Sequence, residues 1–98
     1  MSDWSESCRV RRHPRAVWRQ FDREVAIIVP WDGAIRTLTE VGARAWALAD
    51  GREFGDIVEQ VTGEFEVELE VAASDLRAFF AELEDKKLVL IEPGSSDG

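Results

Sequence analysis

Leu38-Thr-Glu-Val-Gly-Ala-Arg-Ala-Trp-Ala-Leu-Ala-Asp-Gly51 decides how the rest of the chain is read. Thr39 can accept a free amide at a helix start. Val41, Ala45, Leu48 and Ala49 recur at helical spacing. Asp50-Gly51 closes the helix, with Gly51 suited to a left-handed C-terminal position.

Upstream, Ala16 to Phe21 and Val25 to Val29 are β-prone runs broken by the polar Asp22-Arg23-Glu24, as in a hairpin. Pro30-Trp-Asp-Gly33 supplies a turn and Ala34 to Leu38 a third strand, so three short strands in a row predict an antiparallel meander. Downstream, Phe54, Ile57, Val58 and Val61 mark a second helix, stopped at Gly63. Glu64-Phe-Glu-Val-Glu-Leu-Glu-Val71 alternates like a strand, but Leu69, Ala72, Leu76, Phe79, Phe80 and Leu83 keep helical spacing over four turns. The longer pattern prevails: a loop over Glu64 to Glu68, then a third helix from about Leu69 to Lys86, with Lys86 and Lys87 suited to its negative end. Leu88-Val-Leu-Ile91 is a short strand or an apolar flap. The fold class is α+β, winged-helix-like, a three-stranded antiparallel β-meander followed by three α-helices. Residues 1–13 are expected to form a mobile arm, 14–92 the domain and 93–98 a mobile tail.

Ninety-eight residues suffice for one core without metal or disulfide. The net charge of −8 is uneven: residues 1–23 hold six arginines against three acids, and the remainder six basic residues against seventeen acids. An acidic body repels phosphate backbones and anionic lipid, so neither nucleic acid nor membrane is an expected partner. A lone Cys8 cannot close an internal disulfide, and no apolar run is long enough for a signal peptide or membrane span, so a cytoplasmic location is expected. One cysteine and one histidine, His13, do not build a zinc site, and no glycine-rich phosphate loop is present. No catalytic, cofactor-binding or metal-binding residues are expected, and no enzyme.

The order and spacing of several pieces carry a resemblance. They are Val17-Trp-Arg, the helix start from Leu38 to Trp46, its end at Leu48-Ala-Asp-Gly51, Phe54-Gly-Asp-Ile57, Phe65-Glu-Val67, Asp75-Leu-Arg-Ala-Phe79, Leu83 and Leu88-Val89. Together they resemble the PqqD-like family, the peptide-binding domains also called RiPP recognition elements, from about Pro14 to Val89. One segment departs: Val29-Pro-Trp-Asp-Gly33 stands where the pyrroloquinoline quinone pathway's own member carries a Tyr-Pro-Glu-like segment. The resemblance implies a non-catalytic peptide chaperone without a cofactor, binding the leader segment of a ribosomally made precursor and presenting it to a modifying enzyme such as a radical SAM protein. It also implies that the leader adds as a strand beside the third strand and packs on the third helix.

Chemistry independently favours such a mode. A meander leaves its third strand with an open edge, and Ile35-Arg-Thr-Leu38 has no proline to block pairing. The expected peptide-binding residues are Ile35, Arg36, Thr37 and Leu38 on the strand and Leu76, Phe79, Phe80 and Leu83 on the helix. Phe79 and Phe80 diverge by about 100° on a helix, so one belongs to the core and the other lines the groove or lies under the terminal segment. Arg36 either meets an acidic leader residue or protects the edge. Glu64, Glu66, Glu68 and Glu70 form a solvated surface or a docking patch for a basic enzyme. An open edge also allows self-pairing as a homodimer. The rival readings are a winged-helix DNA-binding regulator, with the second and third helices as a helix-turn-helix, and a module bridging two proteins.

Overall fold

The computed structural model describes residues 7–31 and 33–93. Its central sheet is the meander β2 (Val17–Phe21), β3 (Glu24–Ile28) and β4 (Ile35–Thr39), antiparallel in that spatial order. A strand preceding it, β1 (Arg9–Arg12), belongs to a second sheet. Asp22-Arg23 is the two-residue turn between β2 and β3, with Asp22 at φ 58°, the positive value that short hairpin turns demand. Between β3 and β4, Gly33 takes φ 71° and donates its amide to Val29 O at 2.8 Å. Asp32, part of the same expected turn, lies outside the described residues. One face of the meander turns Val25 and Ile27 into the core, with Trp18 and Leu38 partly buried against them.

Three helices follow, α1 (Glu40–Leu48), α2 (Phe54–Phe65) and α3 (Leu69–Asp85). Each buries a stripe at helical spacing: Ala43, Trp46 and Leu48 from α1, Phe54, Ile57, Val58 and Val61 from α2, and Leu76, Phe80 and Leu83 from α3. The alternating segment after Glu64 is not a strand. It is the end of α2, a three-residue connection and the start of α3.

The first part of the chain departs from expectation, whereas the last apolar segment takes the strand alternative. Arg9–Arg12 is not part of a mobile arm. It is the middle strand of the second antiparallel sheet, between β5 (Asp50–Glu53) and β6 (Val89–Glu92). Cys8 and Val10 are buried with Leu88 and Val89, and Arg9 and Arg11 alternate outward. Residues 1–6 and 94–98, expected as arm and tail, lie outside the described residues. The helix ends also move. The α1 helix stops at Leu48, and Gly51 uses its φ of 104° inside β5. The α2 helix runs through Gly63 to Phe65, and Glu66 at φ 56° takes the left-handed cap.

Arg12 shows why β1 belongs to the fold. Its guanidinium donates to Trp46 O and Ala47 O, both at 2.8 Å, and lies 4.9 Å from the centre of the Trp18 ring. The last carbonyls of α1 thus gain the cationic donor that its own last turn lacks. Arg12→Ala is expected to cost about 1–3 kcal/mol in a denaturant melt, and Arg12→Lys to recover only part, because lysine lacks the planar fork. Among the described residues no helix is long and apolar enough to cross a membrane.

Candidate functional site: an open strand edge beside α3

The edge of β4 is defined by its register. Glu40 N–H donates to Arg23 O at 3.2 Å and Val29 N–H to Ala34 O at 2.8 Å, bracketing the ladder between β3 and β4. Antiparallel pairs alternate between bonded and non-bonded, so the bonded pairs between these limits are Val25 with Leu38 and Ile27 with Arg36. Arg36 and Leu38 therefore turn their main-chain groups toward β3. Ile35 and Thr37 turn theirs to the opposite side, as Thr39 does its amide. Among the described residues no strand pairs with that side. β2 is the sheet's other edge, and β4 is the one that an ion pair ties to α3 among the described residues.

That tie is an ion pair. Arg36 Nη2 donates to Glu82 Oε2 at 2.9 Å, spanning the gap between strand and helix. Both side chains are partly open to solvent, so the pair contributes at most about 1 kcal/mol and can exchange partners at little cost. Arg36 lies over the gap toward α3 and does not stand on the outer face of the sheet. Below it, Leu38 and Phe79 converge on Gly42: a methyl group at Gly42 would lie 3.4 Å from Phe79 Cε1 and 3.8 Å from Leu38 Cβ. Such a methyl would be in ordinary van der Waals contact with both, so Gly42 marks where α1 runs beside the Phe79 ring.

The expected residues divide into three groups. Ile35 and Thr37 are on the sheet's outer face, with their main chain on the open edge. Arg36, Leu38 and Phe79 meet between β4 and α3. Leu76, Phe80 and Leu83, at 1%, 0% and 1% exposure, belong to the core behind them. This narrows the helix contribution at the surface to Phe79, whose ring lies 5.1 Å from that of Phe80 in an edge-to-face contact. Sequence reading missed two neighbours, Gly42 and Glu82. Glu82 had a usable signal, since it lies three residues after Phe79 on the same helix face. Gly42 had none, because its place beside Phe79 depends on a contact 37 residues away.

Two hollows of about 460 Å³ each lie away from this edge, one lined by Gln20, Arg23, Glu40 and Arg44 and the other by His13, Lys87, Leu90 and Ile91. Strand addition needs a flat edge and not a cavity. Trp31, in the turn between β3 and β4, is partly exposed, packs edge-to-face on His13 at 5.1 Å and donates its indole N–H to Lys86 O at 3.3 Å.

Comparison with known proteins agrees with this architecture. The family model described as coenzyme PQQ synthesis protein D (PqqD) matches residues 15–89, the meander and all three helices. The chain belongs to the PqqD family. A solved structure similar to this PqqD-family chain is that of TbiB1 in complex with the TbiA(beta) leader peptide. The TM-score is 0.75 at 28% identity, over 89% of this chain and 99% of that one. No curated protein matches the sequence significantly. The match to TbiB1 covers more of the chain than the family-model segment does.

Proposed function

We propose that this PqqD-family chain binds the leader segment of a precursor peptide as an added strand on β4 and presents it to a separate modifying enzyme. The observation that carries this reading is the edge itself: outward main-chain groups at Ile35 and Thr37, beside a floor of Leu38 and Phe79. The leader peptide in the TbiB1 complex supports it. Main-chain bonds supply affinity with little sequence demand, and the alternate side chains that face α3 supply selection. Those side chains meet Leu38 and Phe79 at one position and the Arg36–Glu82 pair at another. An acidic leader residue near Arg36 would displace Glu82 from it.

The chain itself performs no chemistry in this scheme, and the chemistry belongs to a radical SAM enzyme or another maturase. DNA binding is the weaker reading. A recognition helix approaches DNA by its N-terminal region, and here that region carries the exposed Glu64, Glu66, Glu68 and Glu70. Titration with the cognate leader peptide, followed by amide hydrogen exchange, tests the proposal. Protection is expected to rise at the amides of Ile35, Thr37 and Thr39. Binding without protection at β4 would refute strand addition, and a salt-dependent shift with random duplex DNA would favour the regulator.

A further inference from the structure

The outer face of the meander carries a row of apolar side chains that the core does not use. Val17 is directly opposite Ile28, and Ile28 directly opposite Ile35. All three point away from the core, with 53%, 47% and 68% of their surface exposed. Single exposed apolar residues are ordinary. Three aligned across every strand of a sheet form a continuous stripe, open at the Ile35 end because β4 is the edge. The neighbouring outward rows differ: Arg19, Ala26 and Thr37, then Phe21, Glu24 and Thr39. Across the two strands nearest the edge, only the first row is fully aliphatic.

A strand added to β4 must project alternate side chains over this same outer face, since successive residues of a strand point to opposite sides. The residue opposite Ile35 joins its row, because Ile35 turns its main chain toward the incoming strand and directly opposed side chains stand about 5 Å apart. We infer that the stripe Val17–Ile28–Ile35 is a second reading surface, which selects an aliphatic or aromatic residue on the side of the bound peptide that faces away from α3. This rests on the proposed strand addition and goes beyond it. The peptide is read from both sides: by Leu38, Phe79 and the Arg36–Glu82 pair on one, and by the apolar row on the other. The outward positions beside Thr37 and Thr39 carry no such demand.

Selection from a randomised peptide display library tests the inference, using the full chain and its Ile35→Thr variant in parallel. Threonine keeps β-branching and strand preference, and the exposure of Ile35 leaves the fold unaffected, which thermal melting checks. Peptides selected on the wild-type chain are expected to be enriched in Val, Ile, Leu or Phe at one outward position, and those selected on the variant to lose that enrichment alone. For one selected peptide, Ile35→Thr and threonine at that peptide position should each weaken binding about two- to fivefold. The double change should be no worse than either. Hydrogen exchange with the same peptide separates this inference from strand addition. Protection at Ile35, Thr37 and Thr39 with unchanged affinity and enrichment would overturn the outer reading and leave strand addition standing. Absence of protection would overturn both. A peptide-free dimer in sedimentation velocity that Ile35→Thr dissolves would assign the row to a second copy of the chain, and would also overturn it.

Discussion

Thr37→Pro is expected to weaken leader binding roughly five- to hundredfold while leaving the thermal midpoint within a few degrees of wild type. The register makes this prediction possible. Thr37 pairs with Ala26, a non-bonded pair of the β3–β4 ladder, so its amide faces the open edge and proline there removes no bond from the sheet. Proline is tolerated on edge strands for this reason. It deletes a donor and places a ring where the partner carbonyl must approach, so one buried acceptor of the bound peptide stays unsatisfied, at about 1–3 kcal/mol. Arg36→Pro is the contrasting change. Its amide bonds to β3, so the same residue one position earlier should damage the fold. Calorimetric titration and thermal melting of both variants check the pair. A Thr37→Pro protein that stays folded and binds at wild-type affinity would eliminate strand addition at β4.

The adjacent phenylalanines of α3 should respond in opposite ways. Phe80 is fully buried, edge-to-face with Phe54 at 6.4 Å between ring centres. Phe80→Ala is expected to lose about 3–5 kcal/mol by combining lost burial with a cavity, which lowers the midpoint by roughly 15–30 °C in a domain of this size. Phe79 is partly exposed and rests on Gly42. Phe79→Ala should cost no more than about 1–2 kcal/mol of stability. Its larger effect is on the peptide, where loss of a central aromatic contact weakens binding by about 2 kcal/mol or roughly thirtyfold. Chemical denaturation and leader titration on both variants separate the roles. Equal losses of stability would place both rings in the core and leave the floor between β4 and α3 without its aromatic member.

Much of this molecule was legible before any coordinates. The meander followed from three apolar runs punctuated by Asp22-Arg23 and Pro30-to-Gly33, and α3 from a helical period sustained over four turns. These signals are local: a turn residue or an apolar stripe acts within a few positions of itself. The edge could be inferred as well, because a meander has two ends whatever its packing.

Tertiary structure alone decided the rest. β1 is four residues with one buried apolar side chain, and Arg9-Val-Arg-Arg12 carries no local signal that separates it from a polar arm. It becomes a strand because β5 and β6, some 40 and 80 positions away, supply its hydrogen bonds on both sides. The direction of each β4 amide likewise depends on the partner register, which no residue of β4 encodes by itself. The choice between Phe79 and Phe80 had the same origin. A 100° turn of helix distinguishes the two rings, but which one meets the core depends on how α3 is rotated against α2 and β4. Periodicity names a helix's apolar stripe; only packing decides which side of that stripe is left for a partner.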